Sequence, residues 1–237
     1  MICQNETMLM ECHALTKSFG KVNALDNVTV FIPRGRIIGL LGPNGSGKTT
    51  LLKLASGLLS PTCGSILING KEPGAESKAV VSFLPDRSYF AGWMTIEQCL
   101  DYFEDFYADF DRPRAETMLA QLGISPELRL KTLSKGTHEK VQLVLTMSRR
   151  AEIYLLDEPI AGVDPASRDY ILNTIITNYS PESTILISTH LIADVEKVLD
   201  EYIFINRGRI VEYGVCDELR EKTGQSLDDH FREVFRC

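Results

Sequence analysis

The sequence predicts an α/β protein: a mixed sheet with helices on both faces, led by a small antiparallel β subdomain and interrupted by a helical one. Three observations carry that prediction. Apolar runs of strand length recur at 36–41, 80–84, 153–156, 184–188 and 202–206, and helical stretches separate most of them. The run at 36–41 passes through a glycine-rich turn directly into a helix at 50–55. Between residues 95 and 150 helical spacing takes over from strand spacing.

Taken in order, 8–12 and 28–32 read as strands joined around the Phe19-Gly20-Lys21 turn, with Asp26-Asn27 and Pro33-Arg34-Gly35 marking further reversals. Gly57 fits the left-handed residue that stops the 50–55 helix, and 65–70 is a strand closing on a turn. Thr95-Ile96-Glu97-Gln98 has the form of a capping box, and Phe103, Phe106, Tyr107 and Phe110 follow at helical spacing, as the core of the insert. Further helices are expected over 114–122, ended by Gly123, and 136–149. Strands return at 153–156, 184–188, 202–206 and 209–213, and the polar tail beyond Asp217 reads as helical. The core is therefore placed at 1–94 and 151–237, with a helical subdomain at 95–150, all within a single domain.

Bulk composition narrows the function. The chain has 237 residues, 44% hydrophobic and 24% charged, the balance of a soluble globular protein. A net charge of −7 with no Lys/Arg block argues against a nucleic-acid partner. The six cysteines, at 3, 12, 63, 99, 216 and 237, form no C-x-x-C pair, which fits a reduced cytoplasmic compartment and no metal bound by cysteine. Met1-Ile2-Cys3-Gln4-Asn5-Glu6 lacks the form of a signal peptide. No apolar run approaches the ~20 residues that cross a bilayer. Any work at a membrane therefore needs another chain to cross it.

The chemistry starts at Gly42-Pro43-Asn44-Gly45-Ser46-Gly47-Lys48-Thr49, which fits G-x-x-x-x-G-K-[ST] between a strand and the helix that Thr50 continues. Glycines let successive N–H groups turn inward, and the helix N-terminus adds partial positive charge toward a phosphate. Lys48 is expected to reach the β- and γ-phosphates, and the Thr49 hydroxyl to bind Mg²⁺. Ile153-Tyr154-Leu155-Leu156-Asp157-Glu158 is an apolar strand ending in two carboxylates. Alone these could be a solvated acidic strand end; beside a phosphate loop, Asp157 is placed to hold Mg²⁺ and Glu158 to polarise the attacking water. His190 ends a second apolar strand, expected next to the one bearing Asp157, where a γ-phosphate contact is favoured over a structural role. His13, His138 and His230 read as structural or surface residues. Leu133-Ser134-Lys135-Gly136-Thr137 opens a helix and by itself is no more than a serine N-cap.

Assembled, these segments resemble the ATP-binding subunit of an ATP-binding-cassette (ABC) transporter, over about residues 9–214 and in the family's order. The resemblance implies a P-loop NTPase fold, ATP and Mg²⁺ as ligands, and ATP hydrolysis with Glu158 as general base and His190 as γ-phosphate switch. It implies head-to-tail closure of two subunits, a homodimer or a heterodimer with a second ABC ATPase, in which Ser134 and Gly136 of one face the phosphate loop of the other across ATP. It further implies that Phe19 stacks on adenine and that Asp164, in Ala161-Gly162-Val163-Asp164-Pro165, communicates between the two sites. The partner implied is an integral-membrane permease holding the chain at the cytoplasmic face of the membrane. Four positions depart from the family pattern. Asp86 stands for the usual glutamine and keeps an oxygen ligand for Mg²⁺ while adding a charge. Lys135 and Thr137 replace a glycine and a glutamine of the Leu-Ser-Gly-Gly-Gln signature. Ala161 stands where serine is common. The variant signature is similar to that of small bacterial export-type systems.

The permease is expected to dock where the insert meets the Asp86 loop, with Tyr89, Phe90 and Trp93 either forming an apolar seat or packing inward. Two rival functions differ in kind. A DNA-repair or ribosome-associated ABC ATPase would carry coiled-coil, zinc or tandem-cassette additions that this chain lacks. A non-hydrolysing regulatory subunit would fit the altered signature but not the intact Lys48, Asp157, Glu158 and His190. A GTPase would carry an Asn-Lys-x-Asp motif, which is absent.

Overall fold

The computed structural model describes residues 8–87, 89–161, 163–177 and 179–235. Gly162 and the first residues, Met1 to Glu6, lie outside that set. Two sheets form the frame. Strands β1 (Met8–Phe19), β2 (Val22–Pro33) and β4 (Cys63–Ile68) make an antiparallel sheet in the order β2-β1-β4. The second sheet runs β5-β6-β7-β3-β8-β9, from β3 (Ile37–Leu41), β5 (Val81–Leu84), β6 (Ile153–Asp157), β7 (Thr184–Thr189), β8 (Glu201–Asn206) and β9 (Arg209–Val215). Every pairing in it is parallel except that of β9 with β8. β3, β6 and β7 are buried at every position, which is why they appear as unbroken apolar runs rather than alternating ones.

Helix α1 (Lys48–Ala55) fills the space between the sheets. Its Leu51, Leu52, Leu54 and Ala55 are wholly buried against Leu40, Leu155 and Ile203 of the large sheet and Leu25, Val30 and Ile66 of the small one. The opposite face of the large sheet is covered by α5 (Lys135–Met147), α6 (Pro165–Thr177) and α7 (Ile192–Val195), in one continuous core with the helical insert. Helices α8 (Cys216–Thr223) and α9 (Leu227–Phe235) follow β9, as the polar tail predicts. No helix among the described residues is long and apolar enough to cross a membrane.

Two local expectations change. Asp26-Asn27 does not reverse the chain: β2 runs straight through it. Between the Leu15↔Val28 and Lys17↔Leu25 pairs, β2 carries two residues opposite Thr16 alone, and Asn27 takes a left-handed φ of 55° while its N–H donates to the Thr16 hydroxyl at 3.0 Å. A bulge absorbs the turn-forming pair because asparagine tolerates that conformation. The run at 80–84 is shortened by a helix, α2 (Ala75–Val80), which lacks any apolar period in the sequence.

In the insert, α3 (Ile96–Phe106) starts at the expected capping box: Gln98 N donates to the Thr95 hydroxyl at 3.2 Å, and Thr95 N to Gln98 Oε1 at 3.0 Å. The aromatic series is not all core. Phe103 is buried, but Phe106 is 67% exposed and ends the helix, so the spacing carried past the true C-terminus. Helix α4 (Arg112–Gln121) begins at Arg112, whose guanidinium meets Glu97, Asp101, Glu104 and Glu116.

Arg149, which the sequence reading does not single out, ties the insert to the core. Its side chain is 2% exposed. It donates to the carbonyls of Lys78, Ala79 and Val81 at the end of α2, pairs with the Asp109 carboxylate, and lies 3.9 Å over the Tyr107 ring. One guanidinium thus satisfies helix-end carbonyls and the turn after α3 together.

Candidate nucleotide site

The loop after β3 is pressed between the two sheets, and its glycines are there for space. A Cβ on Gly42 would stand 2.2 Å from the Ile205 carbonyl oxygen. Gly47 has φ +112°, and its Cβ would stand 2.6 Å from the Ala24 carbonyl oxygen. The loop is pinned from outside as well: Gly208 N donates to Ser46 O at 2.8 Å from the turn between β8 and β9. Gly47 caps α1 without any side-chain bond, so the first N–H groups of that helix face the loop rather than a capping oxygen.

Lys48 is buried, and its ammonium donates to Gly42 O at 2.8 Å and Pro43 O at 3.3 Å while lying 3.5 Å from Glu158 Oε1. The Thr49 hydroxyl donates to Asp157 Oδ1 at 3.0 Å, and the Ser188 hydroxyl to the same oxygen at 2.6 Å. Asp157 Oδ2 is buried without a hydrogen-bond partner. Burial is the main cause that raises the Asp157 pKa above the ordinary carboxylate range, opposed by its bonds from Ser188 and Thr49. A desolvated carboxylate with one open oxygen beside a threonine hydroxyl is a donor set suited to a hard divalent cation, and Thr49 and Asp157 fit Mg²⁺ on that ground. The Ser46 hydroxyl is likewise buried and unpaired, matching a phosphate oxygen.

Glu158 follows Asp157 but points elsewhere, because its backbone is left-handed at φ 51°. That conformation costs about 1–3 kcal/mol in a residue with a side chain and is held here by bonds from Glu158 N to the carbonyl and hydroxyl of Ser188. Its Oε2 lies 3.0 Å from His190 Nδ1. Parallel pairing of β6 with β7 produces this contact, since it sets Asp157 against Ser188 and so brings the two strand ends together.

These groups open onto a cleft of about 480 Å³ lined by Phe19, Asn44, Gly45, Ser46, Gly47, Lys48, Thr49, Thr50, Asp86, Glu158, Ala161 and His190. Phe19 is 51% exposed at its rim, with the Lys17 ammonium 5.2 Å from the ring centre. A larger cavity of about 710 Å³ shares Thr49 and Asp86 and extends between core and insert along Phe83, Tyr89 and Tyr107. Asp86 thus stands on the wall between the two.

Ser134, Gly136 and Asp164 do not line this cleft. Ser134 caps α5, accepting from Thr137 N at 3.1 Å, and the nearest neighbour for a Cβ on Gly136 is the Ser167 hydroxyl at 3.9 Å. Asp164 accepts from the Ser167 hydroxyl at 2.7 Å and from Ser167 N at 3.0 Å, bonds that hold its pKa below the usual carboxylate range. The sequence reading gave no role to Ser188, whose hydroxyl bonds Asp157. Ser188 was findable, as a hydroxyl two residues before His190 on the strand assigned beside Asp157.

Known proteins agree on what this arrangement is. The family described as ABC transporter matches residues 25–161. ABC transporter ATP-binding protein YtrB of Bacillus subtilis is 30% identical over 217 residues, covering 90% of this chain and 74% of that protein. A probable multidrug ABC transporter ATP-binding protein, YbhF of Escherichia coli, is 31% identical over 93% of this chain, which spans 39% of that protein's length. The chain spans 58% of an uncharacterized ABC transporter ATP-binding protein of Synechocystis, at 30% identity. A solved structure of an ATP-binding subunit of an ABC transporter superposes with a TM-score of 0.85 at 28% identity, covering 96% of this chain and 99% of that one. With its phosphate loop, its strand-end carboxylates and its two-sheet core in this arrangement, the chain belongs to the ABC transporter family, as an ATP-binding subunit with the P-loop fold.

Proposed function

We propose that this chain hydrolyses ATP with Mg²⁺, and that closing against a second ATP-binding subunit drives transport, in the export direction, through a separate membrane-spanning permease. The observation that carries the hydrolytic part is the contact chain from Lys48 through Glu158 to His190 beside the open oxygen of Asp157. Lys48 and the unpaired N–H groups of α1 bind the phosphates. Thr49 and Asp157 would hold Mg²⁺, with Asp86 lining the same cleft as a further oxygen. Bound there, Mg²⁺ would supply compensation for phosphate charge. Glu158 takes the proton of the attacking water, and His190 fixes its carboxylate while contacting the γ-phosphate. Phe19, exposed at the rim, offers a ring face to adenine.

Ser134 and Gly136 complete the site from the opposite subunit. Their absence from the lining of their own chain's cleft supports this, as does the exposure of Ser134 at a helix N-terminus, where an anion can be bound. Asp164 communicates between the sites from its turn. The permease seat is aromatic: Trp93 is 65% exposed and Tyr89 53%, and the exposed rings of Tyr102 and Phe106 continue the patch. The permease would hold the chain at the cytoplasmic face of the membrane.

The test is Glu158→Gln. The variant is expected to bind ATP and to form an ATP-dependent dimer on size exclusion while its turnover falls about 10²–10⁴-fold, the scale of a lost general base. Full ATPase activity in that variant would refute the assignment.

A further inference from the structure

We propose that Arg168 is a positioning residue for hydrolysis: it sets the spacing between Glu158 and His190 by bridging the turn that carries the first to the helix that follows the second. The inference rests on the hydrolytic reading above. Arg168 lies on α6, and its Nη1 donates to Asp194 Oδ2 on α7 at 2.9 Å. Its Nε donates to the Val163 carbonyl, in the turn that leads from Glu158 into α6, at 3.3 Å. Val163 is buried, at 6% exposed, so its carbonyl needs a partner within the protein.

Strands β6 and β7 are rigidly paired up to Asp157 and Ser188. Beyond that register the two chains part into a turn and a short helix. Besides the bonds from Glu158 N to Ser188, two contacts among the described residues link them: His190 with Glu158 at 3.0 Å, and Arg168 with both Val163 and Asp194. The first contact is within the chemistry and must rearrange when Glu158 engages water. The second lies outside the cleft and is independent of it. The Arg168 fork therefore keeps the two strand ends in place while the first contact changes. The fork needs two donors at fixed separation, which a guanidinium has and an ammonium lacks.

The α7 end of the tie is itself anchored. Arg220 Nη2 donates to Glu196 O, and Asp228 N donates to the Glu196 carboxylate at 3.2 Å, from α8 and α9. A displaced Asp194 would thus move against a fixed tail, and the slack would fall on His190.

The experiment measures kcat and KM for ATP in Arg168→Ala, Asp194→Ala, the double variant and Arg168→Lys, with Glu158→Gln as control in the same assay. Hydrogen exchange over residues 188–196 is followed in parallel. Arg168→Ala is expected to lower kcat about tenfold, as a displacement of an ångström or less would, with KM within about twofold. Exchange over 188–196 should rise. The double variant should be no slower than either single one, because both remove one tie. Arg168→Lys folds with its charge kept and should retain most of the defect. Should Arg168→Ala fail to fold, the lysine variant carries the same reading. Unchanged kcat in a folded variant, or losses that multiply in the double variant, would overturn the proposal. If Glu158→Gln itself keeps full activity, the hydrolytic reading has failed rather than the tie alone.

Discussion

Two adjacent carboxylates with different surroundings define this site at the level of single residues. Asp157 stays in the strand, buried and bonded by two hydroxyls, with one oxygen left over. Glu158 turns left-handed and meets a lysine and a histidine instead. Burial raises the Asp157 pKa by disfavouring the charged form, which is the form a bound Mg²⁺ would need. Asp157→Asn should therefore stabilise the nucleotide-free protein by about 0.5–2 kcal/mol, the usual gain when a functional-site conflict is relieved, while Mg²⁺-dependent ATPase activity is lost. Urea unfolding read alongside an ATPase assay checks both arms. Gly47→Ala asks a different question, because its φ of +112° and the Ala24 carbonyl leave no room for a methyl group. The strain of about 1–3 kcal/mol corresponds to a loss of ATP affinity on the order of tenfold or more, measurable by fluorescent-nucleotide titration with circular dichroism as the check on folding.

Among the elements, the insert shows what local signals settle and what they leave open. Thr95 and Gln98 announce the start of α3, and both reciprocal bonds form. The end of α3 has no such announcement. The aromatic spacing continues through Phe110, whereas the helix stops at Phe106, where Arg149 and Asp109 fix the turn around Tyr107. Arg149 owes its place to groups far off in sequence, among them the carbonyls that end α2. Replacing it by methionine removes the partner of Asp109 and strands those carbonyls. The expected loss is about 3 kcal/mol in urea unfolding, as for one half of a buried ion pair. Thr95→Ala should cost only about 1 kcal/mol, the worth of an N-cap.

For the whole molecule, function depends on surfaces as much as on the cleft. The exposed rings of Tyr102 and Phe106 lie on the insert and that of Trp93 just before it, near the cavity that Asp86 shares with the nucleotide cleft. Trp93→Ala is expected to lose co-purification of the proposed permease while ATP binding by the isolated chain stays unchanged; retained co-purification would remove these rings from the proposed interface. What the sequence determined alone was whatever depends on neighbours in the chain: the phosphate loop, the strand-end carboxylates, the capping box, and the alternation of strands and helices. The loop at 42–49 was legible because Gly42 and Gly47 stand where a Cβ has no room, so the spacing of the motif mirrors its packing. Tertiary structure decided the rest, because strand order is not written in any one strand. Only the parallel pairing of β6 with β7 brings Ser188 to Asp157 and His190 to Glu158. Packing between distant elements likewise buried Arg149 and left Phe106 in solvent, since burial is settled by which surfaces meet, not by the periodicity of either one.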